Sequence, residues 1–304
     1  MMEASPFDTH GRIKCGTVSS ADFDRSLADY NASLGLAVVA AGVIPPELAL
    51  AWGAPSCAGR RQVLLHGGGR PCYLRLIEAT RVPGYAPLRT HGWAAFEISV
   101  ADVHALHARL SGSAFRVLGA PGKVGDFASF IPFQVAGRAG EVLFLNQVLS
   151  AGVDGIDLPF ATVEVDQIFI VPLATSDRAA ALAFHVDALG FAAGATYTLP
   201  YTVINAAFGL PADHRTTLTM TRVGSIAASE IDQYPPEATA RPVPSGELPP
   251  GNAMVSFVVD SLDAVRVPLL GPPTRGDGLM YDGRRVGCVR GTAGEIIELI
   301  EAAR

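Results

Sequence analysis

Asp22-Phe-Asp-Arg-Ser-Leu-Ala-Asp-Tyr-Asn-Ala-Ser-Leu34-Gly35-Leu36 returns later in the chain as Asp177-Arg-Ala-Ala-Ala-Leu-Ala-Phe-His-Val-Asp-Ala-Leu189-Gly190-Phe191. Two more pairs follow in the same order. Val100-Ala-Asp-Val-His-Ala-Leu106 returns as Val259-Asp-Ser-Leu-Asp-Ala-Val265, and Ala139-Gly-Glu-Val-Leu-Phe-Leu145 as Ala293-Gly-Glu-Ile-Ile-Glu-Leu299. Matches in constant order at a nearly constant offset indicate two copies of one unit. Where the copies differ is where function is to be sought.

Around these anchors the first half reads as strand, helix and three strands, twice over. Ile13–Val18 is a β-branched strand, and a helix from about Asp22 to Ser33 is capped by Ser20 and Asp22 and stopped by Gly35. Leu36–Ala41 is a strand, and 63–66 with 72–77 form a hairpin around Gly67-Gly68-Gly69. The cycle restarts with strand Trp93–Val100, helix 102–110, strand Phe115–Leu118 and two strands ending at 142–148. Leu149–Pro159 reads as a linker, which divides the chain into units 1–149 and 160–304. The second unit repeats the plan, with strands near 167–171, 216–221, 254–259 and 296–300, and a proline-rich excursion from Pro235 to Pro250.

Bulk properties narrow the class. The 304 residues suffice for two ordinary domains with their own cores. A net charge of −6, with only 23 Lys and Arg and no basic stripe, argues against nucleic acid as a partner. No apolar run approaches the roughly 18 residues of a membrane span. Cys15, Cys57, Cys72 and Cys288 lack zinc or CxxC spacing, and Met1–Arg12 lacks an apolar signal core. A reduced, cytoplasmic protein, monomeric or homodimeric, is the expectation.

Four βαβββ motifs carrying Asp22…Tyr30…Leu34-Gly35-Leu36, Asp177…Phe184…Leu189-Gly190-Phe191 and Gly294-Glu-Ile-Ile-Glu298-Leu299 resemble the vicinal oxygen chelate superfamily, which includes glyoxalases, extradiol dioxygenases and bleomycin-resistance proteins. The resemblance covers about Ile13 to Ala302. It implies an α+β fold: four βαβββ motifs paired into two tandem glyoxalase-like domains, with curled mixed sheets around a cleft. It also implies metal-ligand corners on the first and last strands, where an iron site needs two imidazoles and a carboxylate. In the first unit those corners map to Cys15, Trp93 and Phe144, which cannot hold a hard divalent metal. In the second they map to Gln167, Met254 and Glu298, so any metal is a weakly coordinated divalent ion on Gln167 and Glu298, or there is none. Extradiol chemistry lacks both of its histidines.

Strand alternation puts Glu298 on one face with Ile296 and Ile300. A carboxylate there needs a cation or donors to stay charged, and without them suits a general acid or base. Its equivalent in the first unit is Phe144, so the fold does not require the acid. Tyr281, near the place of a dioxygenase tyrosine, and Arg290, able to clamp a carboxylate or enolate oxygen, are the other catalytic candidates. Ligand-binding candidates are Tyr201 and Asn205, which share a face if their segment is a strand, with His214, Met254, Trp93 and Glu97. Glu97 lines a cleft or pairs with Arg75.

Other signals have plainer readings. His66-Gly67-Gly68-Gly69 mimics an esterase oxyanion loop, but no GxSxG elbow accompanies it. His104 and His107 are solvated on a helix, and Cys15 is a buried small residue. Three readings stay open: lyase, isomerase or hydrolase acid–base chemistry on a small carbonyl-containing or aromatic metabolite, sequestration of such a molecule without turnover, or a scaffold or regulatory copy with no ligand, which a thermal-shift screen that finds nothing would favour. The first two part at Glu298→Gln, which removes turnover but costs a binder only modest affinity.

Overall fold

A computed structural model describes residues 7–124 and 127–302. The first motif comprises β1 (Ile13–Ser20), α1 (Phe23–Leu34), β2 (Ala37–Val43), α2 (Pro46–Ala51), β3 (Arg61–His66) and β4 (Tyr73–Glu78). The second holds a short β5 (Gly92–Trp93), then β6 (Phe96–Val100), α3 (Val103–Leu110), β7 (Arg116–Gly119), β8 (Phe130–Ala136) and β9 (Val142–Val148). The third runs β10 (Val165–Thr175), α4 (Arg178–Leu189), β11 (Ala192–Pro200), α5 (Thr202–Phe208), β12 (Arg215–Val223) and β13 (Ile226–Gln233). The fourth has β14 (Gly251–Val259), β15 (Thr274–Arg275), β16 (Arg285–Arg290) and β17 (Ile296–Glu301). Its helix is reduced to a 3-10 turn, Leu262–Ala264.

The repeated residues owe their recurrence to local structure. Gly35 and Gly190 both take the left-handed conformation that ends α1 and α4, at φ 66° and 75°, where a Cβ would be strained. In each Ala-Gly-Glu the carboxylate folds back onto its own turn. Glu141 accepts from the Ala139 amide at 2.9 Å, and Glu295 accepts from the Ala293 amide at 2.9 Å.

Two curled mixed sheets result, in the orders β15-β16-β17-β14-β1-β4-β3-β2 and β11-β12-β13-β10-β6-β9-β8-β7. The first unites motifs one and four through the antiparallel pair β1–β14; the second unites motifs two and three through β10–β6. Each sheet therefore takes one motif from each half. The expected split at 149/160 does not separate the sheets, and neither cleft belongs to one half alone. The sheets meet back to back in a core that includes Phe96, Ile98, Ile168 and Phe257, with α1, α3 and α4 packed around it. Gly16 marks the closest approach: a Cβ there would lie 2.7 Å from both Ile168 and Phe96.

Candidate functional site

The first cleft is closed by an ion pair. The ladder sets Thr17 beside Arg75 and Ser256 beside Glu298. Arg75 Nη2 donates to Glu298 Oε2 at 2.8 Å, Nη1 to Tyr281 Oη at 2.6 Å and Nε to Thr17 Oγ1 at 3.0 Å. Glu298 Oε1 accepts from Trp52 Nε1 at 2.7 Å and from the Tyr281 hydroxyl at 2.8 Å, and the Ser256 hydroxyl donates to Oε2. The guanidinium lies over the Trp52 ring, 4.6 Å from its centroid. Burial works against the Arg75 charge, but the Glu298 carboxylate and Tyr281 outweigh it and hold the guanidinium firmly protonated. Cys15, Trp52, Arg75, Met254, Cys288 and Glu298 are each at most 1% exposed, so water and substrate have no access. Burial pushes the Cys15 thiol up to about 12, which leaves it unreactive.

The second cleft has the same frame and the opposite filling. The 155-residue step from Asp22 to Asp177 (177 − 22) also carries Thr17 to Pro172 and Arg75 to Glu230, and the ladder pairs both sets in the same way. In the other two motifs the ladder pairs Glu97 with Phe144 as it pairs Ser256 with Glu298. The basic corner is acidic here and the acidic corner aromatic, and no tryptophan is among the described lining residues. A cavity of about 330 Å3 opens above the sheet. Phe127, Phe130, Tyr197, Leu199, Leu218 and Met220 line its apolar walls, and Glu97, Asn146 and Glu230 stand on the sheet beneath. The Phe127 and Phe130 rings stack at 6.2 Å, and Tyr197 meets Phe127 edge-on at 5.0 Å.

The acids of this cavity lack a countercharge. Asn146 Nδ2 donates to Glu97 Oε2, and Tyr201 Oη donates to Glu230 Oε1 at 2.9 Å. Burial, with repulsion from Glu230, pushes the Glu97 carboxyl well above the usual range. Burial also raises Glu230, which Asp232 and Tyr201 partly relieve by hydrogen bonding. Asp232 lies just behind them, and neither of its oxygens receives a hydrogen bond among the described residues. Burial first and repulsion from Glu230 next push its carboxyl well above the usual range. The one Lys, Arg or His among the described lining residues is Lys123, exposed at the mouth.

The expected site residues divide between these places. Glu298 and Tyr281 do meet, but inside the closed cleft. Met254 is packed there too, with Cys288 Sγ 3.9 Å from its sulfur. Gln167 lies on β10 in the other sheet, near Arg12 and Arg70, so the Gln167–Glu298 pair is not assembled. Trp93 is buried between the sheets, its indole donating to the Ile296 carbonyl at 2.8 Å. Arg290 is exposed at the strand end, near Glu295 rather than Glu298, with Nη1 3.4 Å from the Gly294 carbonyl. Arg75 pairs with Glu298, not with Glu97.

Tyr201 and Glu97 reach the open cavity. The segment after Tyr201 is helix α5 rather than a strand, and Asn205 uses it to pin the following loop. Its Nδ2 donates to Ala212 O at 3.2 Å and to His214 O at 2.8 Å, while the His214 side chain is exposed. Trp52, Ser256, Asn146, Glu230 and Asp232 escaped the sequence reading. The 155-residue step was the available signal for Glu230.

The metal that the family resemblance implies fits neither cleft. In the first, a guanidinium already supplies the positive charge, and four donors fill both Glu298 oxygens. In the second, Phe144 and Pro172 hold two corners, and no imidazole joins the carboxylates. Among the described residues no group of three or more His, Cys, Asp or Glu is placed to hold a metal ion.

Comparison with solved structures supports the fold. Glyoxalase I from Zea mays superposes with a TM-score of 0.62 at 15% identity, over 96% of this chain and 92% of that one. A point mutant of the same maize enzyme superposes equally, at 16% identity over 96% and 94%. A candidate dioxygenase from Bacillus subtilis superposes with a TM-score of 0.56 at 7% identity, over 98% and 87%. No protein-family model and no curated protein matches the sequence. At these identities the likeness is one of fold: the chain has the vicinal oxygen chelate architecture in its four-motif form. No helix among the described residues is long and apolar enough to cross a membrane.

Proposed function

We propose that the cleft between the second and third motifs is the working site, and that it captures a small, largely aromatic molecule without a metal. The observation that carries this reading is the contrast between the clefts. One is filled by Trp52 and an Arg75–Glu298 pair; its counterpart keeps about 330 Å3 free beneath an aromatic wall. Cavities of this size and lining are the usual form of small-molecule sites.

Capture is favoured over carbonyl or enolate chemistry by charge. Developing negative charge needs a cation or preorganised donors opposite it. Here the sheet presents two carboxyl groups, and the lining cation stands at the mouth. A second reading, proton transfer by Glu97 and Glu230, has one specific support: both carboxyls stand on one cavity floor and burial raises both. In that reading Glu230, with a donor from Tyr201, is the base, and Glu97 is the acid.

The test is a thermal-shift and calorimetric screen of aromatic metabolites against the native protein and Leu218→Trp, which sets an indole ring into the cavity. Compounds that stabilise the native protein should leave Leu218→Trp unmoved. Equal binding by both proteins would place the site elsewhere. Turnover of a bound compound that disappears in Glu97→Gln and Glu230→Gln would establish the second reading.

A further inference from the structure

We propose that the molecule held in the second cleft is an organic cation: an aromatic or apolar body bearing a protonated amine or amidinium, seated against Glu97, Glu230 and Asn146. This inference rests on the capture reading and adds the chemical class of the ligand.

The polar atoms beneath the aromatic wall are acceptors waiting for a donor. Asn146 is 1% exposed; its Nδ2 is spent on Glu97, and its Oδ1 has no hydrogen-bond partner. Glu97 is 7% exposed and takes its one side-chain hydrogen bond from that amide. Glu230 takes its hydrogen bond from Tyr201, and the remaining tyrosine of the wall, Tyr197, donates to Asp154. A buried acceptor without a donor costs free energy, and two carboxyls facing each other cost more. An ammonium group offers three donors and a positive charge, so it answers both deficits at once.

The first cleft shows how this fold meets the same demand from within. There Arg75 brings a guanidinium to the carboxylate, under an indole ring. The 155-residue step puts Glu230 where Arg75 stands, and no tryptophan is among the described residues that line the cavity. The second cleft thus has neither an internal cation on its sheet nor an indole over it. A ligand with a cationic head and an aromatic body replaces the two together.

Matched sets of amine, alcohol and carboxylate on phenylethyl, indolylethyl and naphthylethyl bodies test the proposal by isothermal titration. In the native protein the amine should bind about tenfold or more tightly than the alcohol of the same body, and the carboxylate most weakly. Glu97→Gln and Glu230→Gln should each erase the amine's advantage while leaving alcohol binding in place, which also shows that the variants are folded. An alcohol that matches or beats its amine in the native protein overturns the cationic ligand but leaves capture by the second cleft standing. If no member of any set binds, both readings fall.

Discussion

Glu298 gains its importance from its partners rather than from its own position on β17. Removing one member of a buried ion pair leaves an uncompensated charge, at a cost of about 3–5 kcal/mol. Arg75→Met and Glu298→Gln are therefore both expected to lower stability in urea unfolding. Arg75→Met should lie near the top of that range, because it leaves the buried Glu298 carboxyl without its cation, whereas Glu298→Gln retains a hydrogen-bonding side chain. Arg75→Met combined with Glu298→Leu should recover much of the loss, since an apolar pair can replace a buried ionic one. Recovery absent in the double variant would mean that Trp52, Tyr281 and Ser256 depend on the charges for their own placement. Alternation along β17 was legible, and it put Glu298 correctly between Ile296 and Ile300. Its cation was not, because Arg75 lies in the other half of the chain, and no local pattern couples β4 to β17.

The helices and turns were the most legible pieces, because their signals lie within a few residues of one another. Gly35 was read as a helix stop, and it and its repeat Gly190 both cap in the left-handed region. At Gly35 a Cβ would meet nothing closer than 3.9 Å, so Gly35→Ala should cost only the backbone strain, about 1–2 kcal/mol. Gly16→Ala adds the same methyl where the sheets touch, 2.7 Å from Ile168 and Phe96. It should cost more than Gly35→Ala, toward the upper end of the ~1–3 kcal/mol of an overpacked core. Equal losses in the two variants would show that the sheets yield freely at Gly16.

Helix α5 was misread for a physical reason. Thr202-Val-Ile looks like a strand by its β-branched residues, but the alanines that follow and the left-handed Gly209 close a short helix. Its counterpart α2, which carries Trp52 at its end, was missed as well.

Pairing of motif one with four and of two with three governs the rest of the account. Each half repeats the same pattern, so a sequence that reveals four motifs is silent on which edges join. Gln167 and Glu298 were linked on the assumption that each half encloses its own cleft. The sheet order separates them. The buried acids of the two sheets then give the protein an unusual pH response. Burial pushes Glu141 and Glu295 up to about 7 and raises Glu97, Glu230 and Asp232 as well. The folded protein keeps protons there that the unfolded chain releases from about pH 4.5, so their contribution is full at lower pH and is lost as pH rises through the folded values.

His185 opposes them. Buried and neutral, and pushed down to about 4, it loses stability as pH falls from about 6.5 through 4. Asp8 and Glu247, held low by cationic partners and hydrogen bonds that outweigh burial, do the same below about pH 4. Five raised acids outweigh one histidine in the range between. The urea midpoint should be higher at about pH 6 than at about pH 8, and Glu141→Gln with Glu295→Gln should flatten the difference. A midpoint that rises steadily with pH would contradict the burial of these acids.

The most direct test of the division of labour between the clefts is calorimetric titration of one cavity ligand into the native protein, Leu218→Trp and Trp52→Ala. The account predicts that Leu218→Trp abolishes binding while remaining folded. It also predicts that Trp52→Ala, destabilised by the loss of its plug, binds with unchanged affinity in the second cleft. Binding that survives Leu218→Trp and disappears in Trp52→Ala would contradict it.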